Sequence, residues 1–301
     1  MHNNIEDMID FLVSEIPDHY VEGRNKYSVY FSSPRYACRR ILTNITHDFP
    51  GLQAAKAYCA FVNKEITYED LSRRYCELTQ AIPSCTMGLS IPLIFELIVK
   101  IFARLTLGQI GSIQALDSLH GKIFYLDQFE SSTETALYSM PVTAHEQYIS
   151  AGWSIEEMKN FRAYYGIDAE RELMGSISRE AVQHIHMEMA KHLLDASTQY
   201  QSFEKMHSSI KGGVDFVLFD QKKPLVPRNI KSLRIAGLGS RVIGIHTGSE
   251  WSDRAFIWSP YTFALEPVQL TDPFALYQRL MLHSAYQVVR PDYIGCMNLA
   301  E

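Results

Sequence analysis

The sequence predicts an α+β fold in which helices and strands are segregated along the chain. Three observations carry this. Apolar residues recur at three- and four-residue intervals through much of residues 1–85 and again through 168–194. From Gly212 onward the pattern changes to runs of β-branched and aromatic residues separated by Gly, Pro and Ser. Strand and helix patterns do not alternate as a parallel βαβ sheet would require.

The N-terminal region opens with Ile5, Met8, Ile9, Leu12 and Ile16 at helical spacing, stopping at Pro17. Residues 27–31 could form a short strand. Asp48 can cap a helix with Pro50 in its first turn, and Leu52, Ala55, Cys59 and Val62 then share a face. Thr67 begins another, with Glu69 and Asp70 in the first turn and Leu71, Tyr75 and Leu78 inside; Pro83 closes the region.

Residues 91–105 read as an apolar helix. Glu96, Lys100 and Arg104 sit four apart and form one charged stripe, and the run is too short to span a bilayer. A strand at 121–126 follows, then a polar stretch at 127–152 with Ser131 to Thr135 at its tip. A polar excursion of that length inside a compact domain is uncommon unless it works as an arm or lid.

Ser154 and Glu157 have capping-box spacing, and the helix they open breaks near Gly166. Asp168 caps the next helix, with Glu170 and Glu172 in its acidic first turn. Leu173, Ile177, Ala181, Ile185, Met189 and Leu193 carry its apolar periodicity to about Leu194, a rod of roughly 40 Å. Strands are expected at 214–219, 241–246, 255–258, 263–270 and 277–289, and Pro291 is compatible with a strand end. No repeat or low-complexity tract is visible.

Composition narrows the function. At 301 residues with 47% hydrophobic and 21% charged residues, the chain can bury a sizeable core. A net charge of −6 argues against strong phosphate binding, which needs clustered Lys and Arg. Cys38, Cys59, Cys76, Cys85 and Cys296 form no Cys-x-x-Cys pair and read as reduced, partly buried thiols. The first residues show no basic segment followed by an apolar run, so no secretory signal is expected. The sequon at Asn44 is then irrelevant.

Few residues suit chemistry. His184, Glu188 and His192 lie four apart on one helical face, a spacing that could hold a transition metal for a hydrolase. No second cluster supplies further ligands or a base, so a solvated stripe opposite Ile185 and Met189 is the preferred reading. Lys211-Gly212-Gly213 and His246-Thr247-Gly248-Ser249 lack phosphate-loop spacing and read as hairpin turns. No Gly-x-Ser-x-Gly elbow is present. No catalytic, cofactor or metal residue is assigned.

The C-terminal segment carries a resemblance. Ala255-Phe256-Ile257-Trp258-Ser259-Pro260-Tyr261 leads into Leu265-Glu266-Pro267-Val268, then Asp272-Pro273-Phe274, and ends in a long strand from Leu280 to Arg290-Pro291. This order resembles the C-terminal signature of tailed-phage major capsid proteins of the T-even type. Two further segments are similar to that family in the same order. One is the apolar helix followed by Gln114, Gly121 and the strand at 123–126. The other is the run 158–173, with its Gly166-Ile167-Asp168-Ala169-Glu170 break, continuing through Ile177-Ser178-Arg179-Glu180. Residues 1–85 match nothing in the family.

The resemblance implies the Hong Kong 97-like capsid fold. In it, 127–152 would be the extended loop, 168–194 the spine helix, and 86–126 with 153–195 the peripheral domain. Residues 196–235 would be a short axial domain and 236–301 the remaining peripheral strands, with 1–85 a helical arm or added subdomain. Ile177, Ile185 and Met189 would form the spine's packing face. Three departures stand out: no room for an insertion beside the loop, a short axial domain, and Ala285-Tyr286-Gln287 where the family has Arg-Tyr-Gly. Glu22-Gly23 would be a candidate head-protease junction, although a turn is the simpler reading.

The implied function is a non-enzymatic shell protein of a tailed bacteriophage head, assembled in the host cytoplasm and residing in the virion. It would form hexamers and pentamers around double-stranded DNA touched only non-specifically. Partners would be its own copies, with scaffold, portal, vertex or decoration proteins as further candidates, and no membrane or cofactor. A vertex paralogue or an encapsulin-type compartment belongs to the same class; the metal-dependent hydrolase is the alternative from another class.

Overall fold

A computed structural model describes residues 4–16, 34–46, 49–67, 70–71, 73–74, 91–128, 135–154, 169–221, 224, 226–247, 254–268 and 275–299. Its architecture is α+β, with the long helix and the long antiparallel strands in the expected order. The expected strand at 27–31, the caps at Asp48 and Asp168, the capping-box partner Glu157 and the Glu22-Gly23 pair lie outside the described residues.

Three helices make up most of the described N-terminal region. Helix α1 (Ile5–Ser14) starts where Asn4 Oδ1 accepts the Asp7 N–H at 2.7 Å, and it buries Met8, Ile9, Leu12 and Val13. Helix α2 (Pro34–Ile45) was not anticipated. Its buried Pro34, Ala37, Cys38, Ile41, Leu42 and Ile45 form a helical stripe, while Arg39 and Arg40 reach outward to Asp10 and Asp117. In α3 (Phe49–Val62) the buried residues are Ala54, Ala55, Ala57 and Tyr58, and the anticipated Leu52, Cys59 and Val62 are only partly covered. Thr67 caps the next turn as expected, its Oγ1 accepting the Asp70 N–H at 3.2 Å. Helix α4 (Ile91–Arg104) is nearly enclosed; Ile94, Phe95, Leu97, Ile98 and Ile101 are each at most 1% exposed. The short helix α5 (Leu107–Ile110) follows it.

The stretch at 127–152, expected as one polar arm, is two different elements. Strands β2 (His120–Gln128) and β3 (Thr135–Thr143) form a two-stranded antiparallel hairpin, from His120 opposite Thr143 to Gln128 opposite Thr135. After Ala144 the chain continues as β4 (His145–Ser154), which pairs along its length with β10 (Ala275–Val288). The correction has a physical reason. Through Ser150, β4 buries only Ile149, so an edge strand with one apolar anchor looks like a loop in sequence.

Strand β10 also pairs with β9 (Phe256–Val268), and β1 (Ser112–Ile113) runs parallel to β9, giving a sheet of order β1-β9-β10-β4. Strand β9 was expected as two strands. The register shifts between His283 and Ser284, which face Thr262 and Pro260, so Tyr261 is the extra residue of a bulge. Pro260 has no N–H to offer a ladder, and the bulge lets one continuous strand pass it.

A second sheet, of order β5-β11-β8-β6-β7, joins β5 (Thr198–Tyr200), β6 (Phe216–Phe219), β7 (Lys231–Arg234), β8 (Arg241–Ile245) and β11 (Ile294–Asn298). The boundary expected at residue 235 therefore falls inside one sheet. Strands β5, β7 and β11 and helix α7 (Phe203–Ser209) were not read from sequence. The long helix α6 (Ala169–Ala196, 28 residues) touches α4, β4 and β10 and also β8 and β11. At 1.5 Å per residue it is a rod of about 42 Å. Ile177, Ala181, Ile185, Met189 and Leu193 are fully buried, which matches the expected packing face.

Candidate functional site

The hairpin β2–β3 is the feature that the rest of the fold does not absorb. Among the described residues it pairs with no other strand and buries only Ile123 and Leu126. Leu137 and Tyr138 are 36% and 37% exposed. Tyr138 stacks on Tyr125 across the ladder, with ring centroids 5.6 Å apart and planes 20° from parallel. The pair stiffens the ribbon, with Tyr125 half-buried and Tyr138 exposed.

The root of the hairpin is built differently. Leu116, Ile123, Ala144 and Ile257 form a small apolar cluster separate from the main core, with Tyr125, Met140, Val142, Tyr261 and Val289 packed on it. A Cβ added at Gly121 would lie 2.8 Å from Leu116 Cδ2, so glycine permits close approach there. The Ala144 N–H donates to Leu119 O at 2.9 Å and closes the base where β3 gives way to β4.

Two buried polar side chains grip the same edge of β2. Gln114 is 4% exposed; its Nε2 donates to Phe124 O at 2.6 Å and its Oε1 accepts the Phe124 N–H at 2.9 Å. Arg290 is 8% exposed; its Nη2 donates to Leu126 O, and its Nη1 donates to Tyr293 Oη at 3.0 Å. The Arg290 guanidinium also stands over the Tyr293 ring, 5.0 Å from its centroid. Helix α2 supports this region from outside, through the Arg40–Asp117 pair and the Asn44 amide to Leu116 O at 3.4 Å. Between α2 and the root lies a groove of about 600 Å³ lined by Tyr36, Arg39, Arg40, Gln114, Lys122 and Phe124 among others.

The His184, Glu188 and His192 face does not converge on a point. Glu188 accepts from Lys191 Nζ at 2.5 Å, and His192 stacks on Tyr286 at 5.3 Å between ring centroids. His184 is half-buried, and burial holds its imidazole below the ordinary histidine value. Among the described residues no group of three His, Cys, Asp or Glu side chains could hold a metal ion.

Further polar contacts tie α6 to its neighbours. Arg104 donates to Ser178 Oγ at 2.6 Å, and Thr106 Oγ1 meets His186 Nε2 at 3.1 Å. Burial pushes His186 down to about 4. Burial also pushes the Tyr286 phenol well above the usual tyrosine range. Ser178, His186 and Tyr286 are buried, whereas Arg104 is exposed. The Lys211-Gly212-Gly213 segment is a turn, with Gly212 and Gly213 at φ +83° and +78°. Among the described residues no helix is long and apolar enough to cross a membrane.

No family model matches the sequence, and no curated protein matches it. Among solved structures, the chain is similar to a virus-like particle from Pyrococcus furiosus at 8% identity, covering 67% of this chain and 96% of that chain with a TM-score of 0.49. It is also similar to a holo-encapsulin complex from Synechococcus elongatus, at 7% identity, 63% and 84% coverage and a TM-score of 0.41. The mature capsid of bacteriophage PhiM1 is similar at 9% identity, 66% and 88% coverage and a TM-score of 0.38.

Proposed function

We propose that this chain is a structural shell protein of Hong Kong 97-like fold from a tailed bacteriophage head, self-assembling into hexamers and pentamers around packaged double-stranded DNA. One observation carries the reading: among the described residues the hairpin β2–β3 pairs with no further strand, and it leaves Leu137 and Tyr138 exposed. A ribbon of two strands is marginal by itself in water. It gains stability by lying on another copy of the chain, where its edges and rings find partners. Such a contact joins different patches of two copies, and when the rotation closes it generates rings.

In this reading β2–β3 is the reaching arm, α6 the spine, and the two sheets the tile that the arm overlaps. The role is mechanical: modest interfaces summed over a closed surface resist the pressure of packed DNA. The acidic net charge fits a container that does not read its contents. Copies of the chain are the principal partners, the virion is the location, and scaffold, portal, vertex and decoration proteins are further partners in this scheme.

Negative-stain imaging of the concentrated protein tests the reading. Closed shells or rings of five and six are expected. A preparation that stays monomeric at every concentration and salt condition, with stoichiometric zinc or iron lost in His184→Ala, would favour the hydrolase instead. Shells that copurify with a peptide-tagged cargo and no nuclease-protected DNA would move the assignment to an encapsulin-type compartment.

A further inference from the structure

We propose that Gln114 and Arg290 are positioning residues that lock the arm at one angle to the four-stranded sheet, so that a neighbouring copy meets it as a rigid extension of that sheet. The inference rests on the shell reading for its consequence in assembly, and on the geometry alone for the brace itself.

Both residues have their backbone in the body and their side chain on the arm. The Gln114 N–H donates to Trp258 O at 2.9 Å, which fixes its main chain alongside β9. Its side chain then bonds both the N–H and the C=O of Phe124. A carboxamide carries the same donor and acceptor as a peptide. Gln114 therefore stands in for one rung of a neighbouring strand without bringing a strand with it. The Arg290 N–H donates to Ala255 O at 3.3 Å, immediately before β9 begins, and its guanidinium reaches Leu126 O.

Phe124 and Leu126 are two residues apart, so both direct their peptide groups to the edge of β2 that faces away from β3. The brace holds two successive outward positions of the same strand. Burial keeps water from competing for either bond. The root cluster of Leu116, Ile123, Ala144 and Ile257 resists sliding but is non-directional. The hydrogen bonds supply the direction. An arm with a loose root would still reach a neighbour, but over a range of angles, and a closed shell of one size needs a single angle between copies.

The test compares Gln114→Met, which keeps the length and loses both bonds, with Gln114→Glu, which keeps the acceptor and loses the donor until the acid is protonated. Hydrogen exchange on the unassembled full-length subunit is read together with particle diameter after assembly. For Gln114→Met, hairpin amides are expected to exchange about tenfold faster, with α6 amides unchanged and particles spread over several sizes. For Gln114→Glu, hairpin protection is expected to return as the pH falls toward the carboxyl range, a recovery that a merely space-filling residue would not show.

Unchanged hairpin exchange in both variants, or equal loss of protection across the whole body in both, overturns the brace. Uniform wild-type-sized particles from Gln114→Met overturn its role in assembly. Should the wild-type chain form no particles, the shell reading fails, and the exchange result still decides whether the brace exists.

Discussion

His186 shows how strongly this interior discriminates between protonation states. It belongs to α6 and meets the segment after α4, 3.1 Å from Thr106 Oγ1, and burial lowers it to about 4 from an ordinary 6.5. A folded-state value below the unfolded one means that the unfolded chain binds the extra proton between those two pH values. Stability therefore falls as pH drops from about 6.5 to about 4, by an amount on the order of 3 kcal/mol for a shift of this size. His184 is shifted in the same direction and adds to the slope. In urea unfolding at a series of pH values, His186→Gln should be less steeply pH-dependent over this window than the wild type. Equal slopes would show that His186 is accessible to protons in the folded state.

At the scale of elements, α6 organises the body because its apolar stripe faces both sheets. Ile177, Ile185 and Met189 have no exposed surface, whereas Arg179 and Glu180 are exposed. Removing a buried methyl-bearing side chain costs its transfer free energy plus the cavity left behind. Ile185→Ala should lower the unfolding free energy by about 3 kcal/mol, while Glu180→Ala should change it by no more than about 0.5 kcal/mol. Chemical denaturation measures both, and a small effect at Ile185 would mean that this part of the rod is not packed as described. The stripe was readable because a 3.6-residue period is local to the helix. Helix α2 carries an equally regular stripe, yet Arg35, Arg39 and Arg40 between the apolar positions lower its average hydropathy and mask it.

For the whole molecule, the consequence is a hairpin whose root is packed on the chain's own residues while Leu137 and Tyr138 stay exposed. Tyr138 stacks on Tyr125 and is 37% exposed. Tyr138→Asp should alter the stability of the unassembled subunit by no more than about 1 kcal/mol. It should nevertheless prevent or sharply reduce particle formation, because a charge would have to be desolvated in the contact between copies. Sedimentation of the assembled fraction beside a melting curve separates the two effects. Normal assembly by this variant would place the contact elsewhere on the arm. Helix α2 has a part in the arm as well, since Arg40 and Asn44 hold the segment from which it rises. Within residues 1–85 it is thus α2 that contacts the segment before β2, through Asp117 and Leu116.

Alone, the chain of residue types determined the order of helices, strand, long helix and strands, the extent and buried face of α6, the apolar character of α4 and the existence of long C-terminal strands. These depend on periodicities that a short window contains. Tertiary structure alone decided that the chain pairs with β2 up to Thr143 and with β10 from His145, that β9 is one bulged strand, and that Gln114 and Arg290 clamp β2. Each of those outcomes is a pairing between backbone groups whose partner is chosen in space, and Arg290 finds its carbonyl 164 residues away. A Gln or Arg side chain carries no sign of which distant peptide it will bond, and so no local pattern could announce where the arm begins.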